Sequence, residues 1–429
     1  MKRTTGLFML FTVLMLAYTT PAEAQFWKKL FKKEDTQRRK PVKKPASKKP
    51  EPPKPDKKKR EVNYPVSEKK NRYRVDILAP LYLDELVKDD KPAFKGKVPD
   101  KAAGGIEFFE GISLAVDSLN KYAYNIDLHI HDIAATATSP EKLVARKMLD
   151  SSDLIIGLVQ SAQIPTLASF AQKKQINFIS ALSPSDADIK GNPYFILMQP
   201  TLKTHCEYIM QKVKKKYKTP PVIFYRTSLG VAEQAYNYVI EQAGKDVPSV
   251  LCNTIPTRQQ LAPLFDSTKH NIIVMALMDN NYAEKVLAKL YEWFPGYNFE
   301  VYGMPSWRTM SSLKKPDAYP NVAVYITTPF YFDGTTAWGH AVANAYKNNY
   351  GSTRPGELVF RGYETIYWFA QLLKKHGAIF NEKLDDNSVM PFTKYDIKPR
   401  WDKDDLLLYL ENTRLYLLRY QSSSYMIEP

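Results

Sequence analysis

Apolar positions along this chain fall into two alternating patterns, one with the period of a helix and one with the continuity of a buried strand. Tyr73–Leu83 is rich in β-forming residues and is broken at Pro80, which predicts a first strand. After Gly104 and Gly105, residues Phe108, Ile112, Ala115, Val116 and Leu119 recur at three- and four-residue steps, the spacing of a helix with one buried face. Asp127–Ile133 predicts a second strand. Glu141–Leu149 predicts a helix, with Ser139 as its N-cap and Pro140 in its first turn. Asp153–Val159 (DLIIGLV) and Ile176–Leu182 (INFISAL) are continuous apolar runs, as strands covered on both faces require, with a helix over Ile164–Lys174 between them.

The pattern then restarts. Helices are predicted over Leu202–Tyr217, Val231–Ala243 and Ala283–Trp293. Strands are predicted over Val222–Tyr225, Val250–Asn253, Asn271–Leu277 and Phe299–Tyr302. A strand at Val322–Thr328 and helices at His340–Asn349 and Tyr363–His376 follow. The end, 381–429, is irregular apart from an apolar strand at Arg414–Tyr420. Repeated strand–helix alternation implies an α/β fold of parallel sheets flanked by helices, joined by right-handed crossovers and divided into two units of ordinary size.

Charge changes the picture at one end only. The chain has 429 residues and a formal charge of +16, but residues 25–74 hold twenty Lys or Arg against six Asp or Glu. The stretch from residue 75 onward is nearly balanced, so the high pI belongs to a tail and gives no case for nucleic-acid binding by the folded part. Residues 1–24 read as a signal peptide: Lys2 and Arg3, an apolar run Leu7–Leu16, and Ala22-Glu23-Ala24 before a cut at Gln25. That predicts an exported, periplasmic protein. Residues 25–72 read as a disordered Lys/Pro-rich linker, too poor in apolar side chains to offset the entropy of ordering. Its alternative role is adhesion to an anionic envelope surface, with Phe26, Trp27, Leu30 and Phe31 set among Lys28, Lys29, Lys32 and Lys33. Cys206 and Cys252 are expected as buried free thiols.

The sequence FFEGISLAVDSLN (Phe108 to Asn120) resembles the first helix of leucine/isoleucine/valine-type binding proteins, the type I periplasmic binding proteins of ABC transporters. Asp132 ends the second strand as the family's aspartate does. DLIIGLVQSAQIPTLASFAQKKQINFISALSPSD is similar to the family's third strand, ligand loop, helix and fourth strand. NPYFILMQPT is similar to its first crossover between lobes, and RGYETIYWFAQLL to its returning helix. The resemblance implies two lobes that close on a ligand: 73–199 with 330–380 as lobe 1, and 200–329 with 381–429 as lobe 2.

It also implies where the ligand sits. Gln160 and Ser161 follow the third strand, and Ala181, Leu182 and Ser183 follow the fourth; these loops offer hydroxyls and backbone N–H groups to a carboxylate. Capping of the following helix is the plainer account of both serines. In lobe 2, Tyr225 to Gly230 (YRTSLG) departs from the family's Asp-x-x-Tyr-Gly-like stretch. Arg226 offers a fork for an anion there, helped by Thr227 and Ser228, and Asp279 and Ser306 lie at neighbouring strand ends, Asp279 as the partner for an ammonium group. Tyr331 and Phe332 read as cleft walls or as hinge core. Asp127, His129 and His131 share one strand face, and the bland reading, a wet edge strand, outweighs a metal site. No G-x-S-x-G, P-loop, H-E-x-x-H or paired-Cys zinc motif occurs, so neither an enzyme nor a cofactor is expected. The function expected is capture of a small polar ligand, an amino acid or related anion, for a membrane permease or for sensing. The rival is a protein of the same fold that has lost its pocket and regulates a cell-wall synthase in the envelope.

Overall fold

A computed structural model describes residues 62–227, 230–315, 318–332, 334–351, 355–388, 390–421 and 424–428. The expected signal peptide, the linker up to residue 61 and Ser228 lie outside the described residues.

The first unit runs β1 (Tyr73–Ala79), α1 (Asp100–Asn120), β2 (Ile126–Asp132), α2 (Pro140–Ala145), β3 (Leu154–Gly157), α3 (Ile164–Lys174), β4 (Asn177–Ser180) and β5 (Phe195–Leu197). The second runs α4 (Leu202–Lys216), β6 (Val222–Tyr225), α5 (Gly230–Ala243), β7 (Ser249–Leu251), β8 (His270–Ala276), α6 (Asn280–Trp293), β9 (Asn298–Tyr302) and β10 (Val322–Thr328). Helices α7 (Ala337–Tyr350) and α8 (Glu357–His376) follow, then β11 (Ile397–Trp401), β12 (Leu407–Asn412), β13 (Tyr416–Gln421) and β14 (Ser424–Glu428). One sheet has the order β11-β12-β5-β4-β3-β1-β2, the other β14-β13-β10-β9-β8-β6-β7. Pairing within these two sheets is parallel except for β11 on β12, β13 on β10 and β14 on β13; a separate antiparallel ribbon pairs Val87–Lys88 with Lys91–Pro92.

The predicted strands and helices recur with shifted ends, α8 starting at Glu357 rather than Tyr363, and three further strands, β11, β12 and β14, form in the stretch expected to be irregular. Helix α2 stops at Ala145 rather than Leu149, because Lys147 adopts a left-handed conformation that ends the turn. Ser139 stands at its N-cap position but makes no side-chain cap bond. The third and fourth strands are buried along their whole length, as their continuous apolar runs require. Cys206 and Cys252 are both buried and unpaired.

Sheet one is covered on both faces. Val75, Ile77, Ile156 and Ile179 join Phe108, Ile112 and the inner face of α8 in one core, while Leu78, Ile155 and Phe178 join α3 in the other. Helices α1 and α8 approach at glycines. A Cβ on Gly111 would lie 2.0 Å from the Val359 carbonyl oxygen, and one on Gly362 would lie 2.1 Å from that of Phe108. Sheet two is packed around aromatic side chains: Tyr302 stacks on Tyr325 at 4.6 Å, and Phe265, Phe294 and Phe299 meet edge to face.

Two segments lie elsewhere than their sequence suggests. Residues 397–412, expected in lobe 2, form the edge of sheet one, β12 parallel to β5 and β11 antiparallel to β12, and only β13 and β14 join sheet two. The choice of sheet is a long-range pairing that local pattern does not encode. Residues 62–72, expected to be linker, lie along the base of lobe 1. Tyr64 meets Tyr194 edge to face, Ser67 Oγ accepts the Ile379 N–H at 3.0 Å, and Lys70 Nζ reaches the Asp153 carboxylate at 2.5 Å. These partners sit at the amino ends of β3 and β5 and past the end of α8, the pole away from the strands' carboxyl ends. Among the described residues, no helix is long and apolar enough to cross a membrane.

Candidate functional site

Each sheet reverses its strand order once. In sheet one the chain leaves β1 for β2 on one side and returns to β3 on the other; in sheet two it leaves β6 for β7 and returns to β8. Loops at the carboxyl ends of strands part at such a reversal, and the crevice between them is where open α/β sheets take ligands. The relevant loops are therefore 80–82 and 158–161 in lobe 1, and 226–227 and 277–279 in lobe 2.

Lobe 1 fixes its first loop with one carboxylate. Asp132 Oδ1 accepts N–H groups of Leu81, Tyr82 and Ala134 at 2.9, 3.1 and 3.0 Å, and Oδ2 accepts that of Leu83 at 2.7 Å. This holds Tyr82 in a left-handed conformation. Opposite, Gln160 and Ser161 are exposed, and the Gln160 N–H donates to Gln163 Oε1 at 2.9 Å to start the next turn. Ser183 is one strand further along. Its hydroxyl accepts the Ser185 N–H at 3.3 Å, closing a turn; no helix follows before β5, so there is no helix for it to cap as expected. Ala181 is buried and Leu182 half-buried against the lobe 1 core.

Lobe 2 places a cation at its reversal. Arg226 directly follows β6, and Asp279, after β8, comes within 3.7 Å of its Nη1. The guanidinium lies over the Tyr282 ring at 4.5 Å, and its buried Nε has no hydrogen-bond partner. Asp279 is the N-cap of α6, where Oδ1 accepts the Tyr282 N–H at 3.1 Å. The acid expected to meet an ammonium group thus already serves a helix and an arginine. Thr227 is held by Asn253, whose Nδ2 donates to the Thr227 hydroxyl at 3.1 Å. Ser306 turns inward, its hydroxyl 3.3 Å from the Met278 carbonyl.

The lobes meet in two further places. Arg308, after β9, forks onto Glu357 at the start of α8, with Nη1–Oε1 3.1 Å and Nη2–Oε2 2.5 Å. The chain crosses between lobes at 198–201, 329–336 and 413–415, and a buried carboxylate ties the first crossing to the third. Glu411 Oε1 accepts the Thr201 N–H and the Thr204 hydroxyl, both at 2.7 Å, and Oε2 lies 3.0 Å from Arg400 Nε. Arg400 also reaches Glu207 on α4 at 3.1 Å. At the second crossing, Phe332 packs on Phe360 and Phe392 as hinge core, while Tyr331 packs against the lobe 2 core. Arg361 is half-buried beside them, its Nη2 3.0 Å from Gln199 Oε1, and desolvation pulls its pKa down. A groove of about 760 Å³ flanks the hinge between α4 and the β12–β13 link, away from both reversals.

Sequence reasoning missed Tyr82 and Tyr282. Neither belongs to a motif, and each gains its place from a loop or helix set by a distant residue. The metal reading of Asp127, His129 and His131 gains nothing. β2 is a sheet edge, His131 Nε2 is 2.7 Å from the buried Asp76 carboxylate, and no cluster of three or more metal-ligating side chains occurs among the described residues.

Solved structures share this architecture. An ABC transporter substrate-binding protein from Desulfitobacterium hafniense is 16% identical, with a TM-score of 0.54 over 83% of this chain and 100% of its own. A putative branched-chain amino acid ABC transporter protein from Rhodospirillum rubrum is 14% identical, with a TM-score of 0.59 over 83% and 100%. LpoA of Haemophilus influenzae is 13% identical, with a TM-score of 0.54 over 84% of this chain and 59% of its own. At these identities the likeness establishes the fold. No curated protein sequence matches the chain. The family model for periplasmic binding proteins matches residues 99–390, more than half of the sequence. The chain therefore belongs to the periplasmic binding protein family, in its two-lobed type I form.

Proposed function

We propose that this chain is an exported solute-binding protein that closes its lobes on a small polar ligand, an amino acid or related anion, for transport or sensing. The observation that carries this reading is the pair of strand-order reversals, one per lobe, each bordered by polar groups at the strands' carboxyl ends: Gln160 and Ser161 in lobe 1, Arg226 in lobe 2. The three crossings and the Glu411 knot supply a hinge for closure. A membrane permease or sensor would take the ligand on, and the Lys-rich segment 25–61 would rest on an anionic envelope surface.

The test is thermal unfolding against amino acids, peptides, nucleosides and wall fragments. A ligand at 100 times its dissociation constant stabilises by roughly 2.7 kcal/mol. A shift with one compound, lost in Ser161→Ala or Arg226→Ala, supports capture between the lobes. One observation favours the second reading, a ligand-free interaction protein of the envelope: the Arg308–Glu357 fork ties the lobes together through their own side chains. No shift with any compound, together with capture of an envelope protein, would favour that reading.

A further inference from the structure

Resting on that reading, we infer that the ligand presents to Arg226 in lobe 2 a negatively charged group, a carboxylate or phosphate monoester, beyond any α-carboxylate taken by the lobe 1 loops, so that zwitterions with neutral side chains, which have no second anionic group, are excluded. The inference comes from the charge balance of lobe 2 at its reversal. The side chain of Arg226 is only 16% exposed, so its charge is largely removed from water and needs an anion. Among the described residues its only carboxylate neighbour within 4.0 Å is Asp279, and 3.7 Å exceeds hydrogen-bonding distance. Asp279 is itself 46% exposed and already accepts the Tyr282 N–H, so it neutralises the arginine weakly. The Tyr282 ring covers one face of the guanidinium and fixes its plane, leaving the donor edge as the interacting part. The buried Nε without a partner is a donor with unmet demand, whose satisfaction an anion would supply. An ammonium group brought here would meet a cation more buried than the one acid beside it.

The experiment is calorimetric titration and thermal unfolding of the full chain with four probes: leucine, glutamate, glutarate and glycerol 3-phosphate. The expected result is saturable binding of at least one acidic probe and none of leucine. Carboxylate and phosphate arms identify which anion is taken. Arg226→Gln should weaken that binding at least tenfold, Arg226→Lys should restore part of it, and Asp279→Asn, by removing the competing carboxylate, should leave it intact or strengthen it. Both arginine variants should keep the unliganded melting temperature. Binding of leucine with no binding of the acids, or acid binding that survives Arg226→Gln, overturns the inference and leaves ligand capture standing. If none of the four binds and no compound of the wider panel shifts the melting temperature, both fall.

Discussion

The two lobes share a topology and reach it with different materials. Both interiors hold stacked and edge-on rings, but lobe 1 also brings backbone against backbone, at Gly111 and Gly362, whereas the tight glycine of lobe 2, Gly303, faces the Trp307 ring. Their buried titratable groups differ in the same way. Lobe 1 hides Glu364 in α8, where it accepts the Thr393 N–H at 2.6 Å and the Tyr395 hydroxyl. Burial raises its pKa to about 7, against those bonds. Lobe 2 hides His205 in α4, 2.7 Å from the Thr327 hydroxyl, and burial lowers its pKa to about 3. A common strand order therefore does not fix a common response to mutation or pH; the interior of each lobe decides that.

The strongest way to break the comparison is to remove what the lobes share. Glu411→Ala leaves Arg400 with one carboxylate fewer and frees the Thr201 N–H. It should cost about 3–5 kcal/mol, and calorimetry should show both lobes' transitions falling together. Gly362→Ala acts on one lobe. The added methyl meets an immovable carbonyl, at about 1–3 kcal/mol or more, and only the lobe 1 transition should fall. Gly303→Ala is the lobe 2 counterpart, where the methyl meets the buried Trp307 ring.

Acidity should shift each lobe by roughly 1–2 kcal/mol between pH 5 and 7, in opposite directions, so that the contrast widens by the sum. Glu364, with its folded pKa above the ordinary carboxyl value of 4.5, stabilises lobe 1 most at low pH and loses that contribution as pH rises toward about 7. His205, with its folded pKa below the ordinary imidazole value of 6.5, stabilises lobe 2 above that pH and loses the contribution as pH falls toward about 3. Glu364→Gln should flatten the lobe 1 dependence alone; an unchanged slope in that variant would refute the assignment. The smallest expected effect is at the interlobe fork. Arg308→Gln removes a half-exposed pair worth less than about 1 kcal/mol. It should widen the radius of gyration of the unliganded chain in X-ray scattering while scarcely moving its melting temperature.

Much of the fold is legible locally. Continuous apolar runs such as DLIIGLV and INFISAL mark the strands of a parallel sheet, and the three- and four-residue steps from Phe108 to Leu119 mark α1. The pairing of 397–412 with sheet one is not legible. β11 carries Lys398, Pro399 and Arg400, looks unlike a core strand, and finds its place only through β12. Position along the sequence likewise proposes Gln160, Ser161 and Arg226, because Arg226 directly follows β6 and the other two lie in the loop after β3. The contacts that define Arg226, with Asp279 and Tyr282, join residues more than fifty positions apart. Ser183 and Ser306 show the converse: their hydroxyls point to their own backbone surroundings, which spacing does not reveal.

The strap at 62–72 bears on mechanics. It grips lobe 1 alone, through Tyr64, Ser67 and Lys70, at the pole away from the crevice. Under the proposed function, a hold on the preceding segment would make lobe 1 the stator and lobe 2 the moving jaw. Tension along that segment would load the base of lobe 1 and bypass the three crossings, so opening and closing would do no work against it.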